Sequence, residues 1–160
     1  LRDPGFVAQV RRILEAHPPR GWQLVLELTE TEFMADPEPV VHACRSLKSM
    51  GCAIHVDDFG TGYSALNYLT HLPLDGLKID RSFVSQLETD RGVQAITRAV
   101  LTLAAGLDLD VIAEGVETER QLELVRGLGC TRVQGFLYGK PASAEALSES
   151  IHSAGVRLAQ

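Results

Sequence analysis

The order of apolar and polar residues predicts helices and strands that alternate along the chain. The clearest helical signal is the series Val93, Ile96, Val100, Leu103 and Leu107, whose spacing of three and four residues places them on one helix face. Short apolar runs bounded by turn residues predict strands between the helices. The predicted strands are Gln23–Thr29, Ala53–Asp57, a segment within Leu74–Asp80, Val111–Glu114 and Thr131–Phe136.

Local signals also place the ends of several helices. A start is predicted where Asp precedes Pro, or where Thr is followed three residues later by Gln in a capping box. These signals occur at Asp3-Pro4, Asp36-Pro37 and Thr118 with Gln121. Gly51 and Gly129 predict helix ends, because glycine readily ends a helix in the left-handed conformation. Two further helices are predicted over Tyr63–Leu72 and Ala144–Ile151.

Regular alternation of strands and helices predicts an α/β fold with a parallel sheet and helical crossovers. Such sheets are either open and doubly wound or closed into an eight-stranded barrel of typically ~250 residues. Five strands do not close an eight-stranded barrel. The chain also begins at Leu1 rather than at Met, so we expect a segment of something longer.

Composition is that of an ordinary globular protein, with 45% hydrophobic and 22% charged residues. A net charge of −6 argues against binding to DNA or to an anionic membrane surface. The three cysteines are Cys44, Cys52 and Cys130, and their spacing fits no zinc site. We expect buried, reduced thiols and a cytoplasmic location, although upstream domains of a parent protein could tether it to a membrane.

Polar residues recur where the predicted strands end. They are Glu27, Asp57, Asp58, Lys78, Glu114 and Gln134. In parallel α/β folds these strand ends meet at one edge of the sheet, where active sites lie. Adjacent carboxylates repel unless a cation lies between them, and oxygen ligands without histidine favour Mg²⁺ or Mn²⁺ over zinc. For Asp57-Asp58 alone, a solvated turn that caps a helix is the competing interpretation.

The same residues carry a family resemblance. The ordered segments are Glu27-Leu28-Thr29-Glu30, Asp57-Asp58-Phe59-Gly60-Thr61-Gly62-Tyr63-Ser64, Lys78-Ile79-Asp80, Glu114-Gly115-Val116-Glu117 and Gln134-Gly135-Phe136. This series resembles the EAL-domain family of cyclic-di-GMP phosphodiesterases, from about Leu1 to Pro141. The resemblance implies a modified (β/α)₈ barrel, present here as about five βα units. It also implies hydrolysis of cyclic di-GMP to linear pGpG with two Mg²⁺ or Mn²⁺ ions, and inhibition by Ca²⁺.

Residue roles follow from the resemblance position by position. Glu27 and Asp57 would bind the first metal ion, and Asp57 would bridge to a second ion held by Asp58 and Glu114. Lys78 would orient or help to activate the attacking water, which makes Lys78, Glu114 and Asp58 the implied catalytic residues. An ammonium among several acids also offsets their charge.

The resemblance further implies supporting residues and a homodimer. Glu117 and Gln134 would support the metal-bound water by hydrogen bonds. Glu30 would anchor the loop from Asp57 to Ser64, and Tyr63 to Tyr68 would lie near a dimer interface, where a plain amphipathic helix is the competing interpretation.

The sequence departs from the family at its start. The family carries a Glu-Ala-Leu-type motif on an early strand and a metal-binding Asn on the next, and we expect neither motif to occur in this sequence. Leu1-Arg2-Asp3-Pro4 resembles the segment after the Asn-bearing strand, so we expect a single domain fragment, residues 1–160, with little or no activity alone. The alternatives are a non-catalytic cyclic-di-GMP receptor or regulatory domain, and an unrelated Mg²⁺ barrel of the enolase type.

Overall fold

A computed structural model describes residues 1, 3, 5–29, 37–60, 69 and 71–147 of the chain. Helices and strands alternate through these residues, as the sequence predicts. In chain order they are α1 (Phe6–Ala16), β1 (Val25–Thr29), α2 (Pro37–Ser49), β2 (Ala53–Phe59), β3 (Gly76–Ile79), α3 (Arg81–Gln86), α4 (Arg91–Gly106), β4 (Asp110–Ala113), α5 (Glu119–Gly127) and β5 (Arg132–Val133).

The five strands form one parallel sheet in the order β1-β2-β3-β4-β5. Each strand therefore pairs with the next one along the chain, and the order does not reverse. A doubly wound sheet reverses its order at a switch point, whereas a barrel adds strands in sequence. Of the two architectures that the alternation allowed, the described strands have the order of the barrel.

The two faces of the sheet differ in chemistry. Side chains alternate between the faces along each strand, and residues paired across neighbouring strands point to the same face, so each face carries its own rows of side chains. Apolar side chains occupy the helix-covered face and form most of the core with the helices. One row across that face is Leu28, Val56, Leu77 and Val111. The row one residue earlier on the opposite face is Glu27, His55, Gly76 and Asp110. Of these two rows, the polar one lies on the side that would line a barrel.

Capping explains where several helices begin. The Thr118 hydroxyl accepts a hydrogen bond from the Gln121 N–H at 3.1 Å, and Gln121 Oε1 accepts one from the Thr118 N–H at 3.1 Å, so the predicted capping box is confirmed. Gly51 has φ +85° just after α2, and this left-handed conformation suits glycine.

Within the described residues, no helix combines the length and apolar character needed to cross a bilayer.

The start of α1 differs from the prediction. Its N-cap is Gly5 rather than Asp3. The Asp3 carboxylate accepts a hydrogen bond from the Gly5 N–H at 2.7 Å, so it closes a turn ahead of the helix instead of capping it. Asp36 and Pro4 lie outside the described residues, but Pro37 is the first residue of α2 as predicted.

Strand ends also differ from prediction. β2 extends to Phe59, whereas β5 is limited to Arg132–Val133, because an apolar run does not specify where its ladder partner ends. Helix α3 was not predicted, since six residues are too few to show a helical period. Residues 144–147 are helical, and the remainder of the last predicted helix lies outside the described residues, as does most of Tyr63–Leu72.

Candidate active site

A β-bulge brings the two adjacent aspartates to the same side. Val56 pairs with Leu77 and Phe59 with Ile79, so β2 advances three residues while β3 advances two. Neighbouring side chains in a regular strand point to opposite faces, and the extra residue changes this alternation. The bulge places Asp58 at φ +53°, a conformation that Asp tolerates better than most residues but that still costs about 1 kcal/mol.

Glu114 joins these aspartates from the end of β4. Its N–H donates to the carbonyl of Ile79 at 3.0 Å, which continues the ladder one residue beyond the strand. The chain then turns at Gly115, whose φ is +68° and where a Cβ would collide with the Cβ of Arg81. This tight turn fixes where the Glu114 carboxylate can lie.

Three carboxylates meet at this edge of the sheet. One oxygen from each of Asp57, Asp58 and Glu114 lies within 4.8 Å of the others. An all-oxygen donor set of this kind fits Mg²⁺ or Mn²⁺. Asp58 is therefore part of a convergent acidic group, and the interpretation of Asp57-Asp58 as a plain helix-capping turn does not describe it.

Lys78 is the cation at the centre of the described acids. Its Nζ lies 2.6 Å from Glu114 Oε1, 2.7 Å from Glu27 Oε2 and 3.1 Å from Asp57 Oδ1. The lysine side chain is only 5% exposed, whereas that of Glu27 is 44% exposed. Glu27 is thus held by the ammonium and does not belong to the three-carboxylate group.

The pKa values reflect a site with more acids than cations. Burial raises the pKa of Glu114, and contact with Lys78 offsets this only in part. Burial, followed by the charges of Asp57 and Asp80, raises the pKa of Asp58. For Lys78, burial lowers the pKa, but hydrogen bonds to the surrounding carboxylates outweigh it and hold the pKa above its ordinary value. A further positive charge at this site would therefore stabilise the ionised carboxylates.

A cavity of about 310 Å³ opens beside the acids. Its walls include Asp58 and Glu114, and also Glu117 and Gln134, the two residues predicted to support them. Gln134 is fixed through its backbone: its N–H donates to Ala113 at 2.9 Å and its carbonyl accepts from Val116 at 3.1 Å. The Glu117 N–H donates to Gln121 Oε1 at 2.8 Å, so the capping box of α5 also positions this wall.

Three further residues line the same cavity, and the sequence pattern gave none of them a role: Asp80, Arg81 and Phe136. Asp80 follows β3 directly and caps α3 by accepting a hydrogen bond from the Ser82 N–H at 2.9 Å. Like Glu114, Asp80 is a polar residue that directly follows a strand. The same sequence pattern could therefore have identified it as a candidate site residue. Arg81 lies close to Gly115, where a Cβ would collide with it, and no local sequence pattern predicts this approach.

The predicted loop is described only at its start. Phe59 is buried, and Gly60, with φ +96°, lies against the ring of Phe83. The other loop and anchoring residues lie outside the described part of the chain. These are Glu30, Thr61, Gly62, Tyr63 and Ser64.

The expectation that no Glu-Ala-Leu tripeptide occurs in this sequence is wrong, because one is present at Glu145, Ala146 and Leu147. It lies on the helical turn of residues 144–147, downstream of β5, and these three residues are exposed. In letters it matches the motif that gives the resembled family its name, but it is neither on a strand nor ahead of Glu27.

Comparison with known proteins decides the family. The sequence profile of the EAL domain matches residues 1–141. The chain belongs to the EAL domain family. It is 45% identical to the bifunctional diguanylate cyclase/cyclic di-GMP phosphodiesterase MucR of Pseudomonas aeruginosa, over 92% of this chain and 22% of MucR. This EAL chain therefore spans about a fifth of the length of that relative.

Solved EAL structures share the fold of this chain. The PaMucR phosphodiesterase, solved in complex with c-di-GMP, is 44% identical with a TM-score of 0.85, over 91% of this chain and 59% of that one. BlrP1 of Klebsiella pneumoniae, in a complex with manganese and c-di-GMP, is 32% identical with a TM-score of 0.80, over 87% and 35%. The five-stranded parallel sheet is thus part of an EAL-type, TIM-barrel-like fold.

Proposed function

We propose that this EAL chain carries catalytic residues of a phosphodiesterase that hydrolyses cyclic di-GMP to linear pGpG. The observation that carries the proposal is the convergence of Asp57, Asp58 and Glu114 at the edge where the strands end. Related proteins are named for the same activity or were solved with the same nucleotide.

Metal binding is the second part of the proposal. Asp57, Asp58 and Glu114 would hold one Mg²⁺ or Mn²⁺ ion, and Glu27 would hold the other together with Asp57. When bound, the two ions would supply an activated water and stabilise negative charge on the phosphate. The raised pKa values of Asp58 and Glu114 support this assignment, because such acids are favoured as carboxylates once a cation is near.

Three further side chains would position the attacking water and the phosphate. Lys78 would orient the attacking water, which requires one of its three N–H donors to leave a carboxylate, since an ammonium has no more than three. Glu117 and Gln134 face the same cavity as Asp58 and would position the water and the phosphate by hydrogen bonds.

The proposal also covers the activity of the isolated chain, the assembly of the complete domain and its location in the cell. The 160-residue polypeptide alone would hydrolyse little or no nucleotide, since no Glu-Ala-Leu segment precedes Glu27 in the sequence. The complete domain would form a homodimer through the region of Asp57 to Ser64. We place it in the cytoplasm, which the three buried free thiols support because reducing compartments keep cysteines unpaired.

The test measures pGpG by chromatography after incubation of the full-length protein with cyclic di-GMP and Mn²⁺. Asp58→Asn is expected to lower the rate by more than about 10-fold to 100-fold, the usual loss when only a residue that supports a metal ligand is changed, because it removes a metal-binding carboxylate itself. Asp108→Asn is the matched control, since Asp108 is an exposed aspartate with φ +54°, close to that of Asp58.

Three outcomes separate the alternatives. Hydrolysis that survives Asp58→Asn would contradict the proposed site. Tight nucleotide binding without hydrolysis by the full-length protein would favour a receptor. Rapid turnover by the isolated 160-residue chain would contradict the proposal that it is inactive alone.

A further inference from the structure

The surroundings of Lys78 resemble those of a bound metal ion. Three carboxylates, from the end of β4, from β1 and from β2, lie 2.6, 2.7 and 3.1 Å from its Nζ. An ammonium has three N–H donors, so these contacts use all of them. The lysine is 5% exposed, and a buried charge of this kind persists only when it is paired on every side.

Two groups of carboxylates overlap at this point. One surrounds Lys78 and contains Glu27, Asp57 and Glu114. The other contains Asp57, Asp58 and Glu114, whose carboxylate oxygens lie within 4.8 Å of one another. Asp57 and Glu114 belong to both groups, so a metal ion and the ammonium must share them.

The three partners of Lys78 differ in how readily they can leave it. The Glu114 and Asp57 side chains are only 18% and 24% exposed. Glu27 is 44% exposed and has room to turn toward solvent. Of the three contacts, the one to Glu27 is the easiest to break.

We propose that Lys78 is a built-in cation, which holds Glu27, Asp57 and Glu114 in position before metal binds and must release Glu27 before a second ion can enter. Loading is then ordered. The position with Asp58 fills earlier, and the position with Glu27 fills later, because an ion there competes with the ammonium for Glu27. The inference rests on the metal site of the proposed function and adds the order in which its two positions fill.

Lys48 provides an internal comparison. It forms an ion pair of 2.7 Å with Asp75, the same length as the contact between Lys78 and Glu27. That pair is about one-third exposed on both sides and involves a single carboxylate. Lys48 is therefore a lysine in an ordinary ion pair, away from the acids that would bind metal.

The experiment uses the full-length protein with all metal removed by chelation. Thermal unfolding is followed without metal, and Mn²⁺ binding is followed by electron paramagnetic resonance of the free ion. The wild-type protein is expected to bind two Mn²⁺ ions in two steps of different affinity. Lys78→Met should lower the metal-free unfolding temperature more than Lys48→Met does, and should tighten the weaker Mn²⁺ step at least tenfold. Lys48→Met should leave both steps unchanged.

A second variant, Glu27→Gln, tests the order of metal binding even if Lys78→Met does not fold without metal. Glu27→Gln should abolish the weaker step, leave the tighter step within about threefold, and change the metal-free unfolding temperature little. Weakening of both steps by Glu27→Gln, or an unchanged or weaker second step in a folded Lys78→Met, would overturn the inference.

Failure of the proposed function gives a different result. If the wild-type protein binds no Mn²⁺, the proposed metal site is wrong, and the metal-free unfolding temperatures alone test Lys78. A larger loss for Lys78→Met than for Lys48→Met then supports the built-in cation, and an equal loss contradicts it.

Discussion

Gly76 lies opposite His55 in the β2–β3 pairing, and its missing side chain provides the space that the imidazole occupies. A Cβ at Gly76 would come within 3.0 Å of His55 Nε2 and within 2.8 Å of the Asp110 carbonyl oxygen. His55 is 6% exposed, and its Nδ1 has no hydrogen-bond partner among the described residues. The pair packs the polar face of the sheet directly below Asp57 and Lys78.

Gly76→Ala is therefore expected to destabilise the protein by about 1–3 kcal/mol, the usual cost of overpacking a buried position. Unfolding in urea, followed by circular dichroism, measures this loss. His55→Ala in the same chain should restore part of the stability, but the contact with the Asp110 backbone remains. Gly106→Ala is the control, since nothing lies within 4 Å of that helical position and alanine is expected to stabilise it. Equal effects at the two glycines would contradict this account.

Stability should also depend on pH through His55. Burial lowers its pKa below the ordinary value of 6.5, although the charges of Asp75, Glu27 and Asp110 oppose the shift. The unfolded chain then binds a proton more readily than the folded one, so the contribution of His55 is present above pH 6.5 and is lost as the pH falls through the lowered pKa. His55→Asn should lose less stability than the wild type between pH 7.5 and 5.5 in urea unfolding. Parallel pH profiles for the two proteins would exclude His55 as the cause.

The positive φ of Asp58 affects stability, whereas its carboxylate would affect metal binding, and one substitution tests both effects. Asp58→Gly should raise the free energy of unfolding by up to about 1 kcal/mol, because glycine adopts a positive φ without strain. The same variant should lose Mn²⁺ binding, since its carboxylate is gone. Asp108→Gly, at φ +54°, should give the same stabilisation and retain binding. Isothermal titration with Mn²⁺ alongside urea unfolding distinguishes the two effects, and loss of binding in both variants would argue against a specific role for Asp58.

The three thiols are expected to be unreactive in the folded protein. Burial raises the pKa of Cys44 to about 11, and also raises those of Cys52 and Cys130. Because the thiolate is the reactive form, Ellman's reagent at pH 8 should react slowly with the native protein and rapidly once it is unfolded. Since the folded pKa of Cys44 exceeds the unfolded value of 9.0, its contribution to stability is present below pH 9 and is lost as the pH rises toward 11. Rapid reaction of all three thiols under native conditions would show that they are not buried.

Features with short-range causes were predictable from the sequence. Helix α4 follows from its repeated apolar spacing, and the capping box of α5 joins Thr118 to Gln121 only three residues away. The recurrence of acids after strands also predicted that Asp57, Asp58 and Glu114 would converge, because parallel strands end at one edge. Features with long-range causes were not predictable. The length of β5 depends on its ladder with β4, and no local pattern specifies that pairing.

The sequence alone determined the alternation of elements, the edge of the sheet that carries the acids and the resemblance to the EAL family, because periodicity and motif order are written along one chain. Only the tertiary structure decided how those acids are arranged. The bulge at Asp57 and Asp58 exists because β2 is one residue longer than the β3 segment it pairs with. The contact between Lys78 and Glu27 joins residues 51 positions apart. Both depend on how neighbouring strands align, and that alignment is set by packing across the whole sheet.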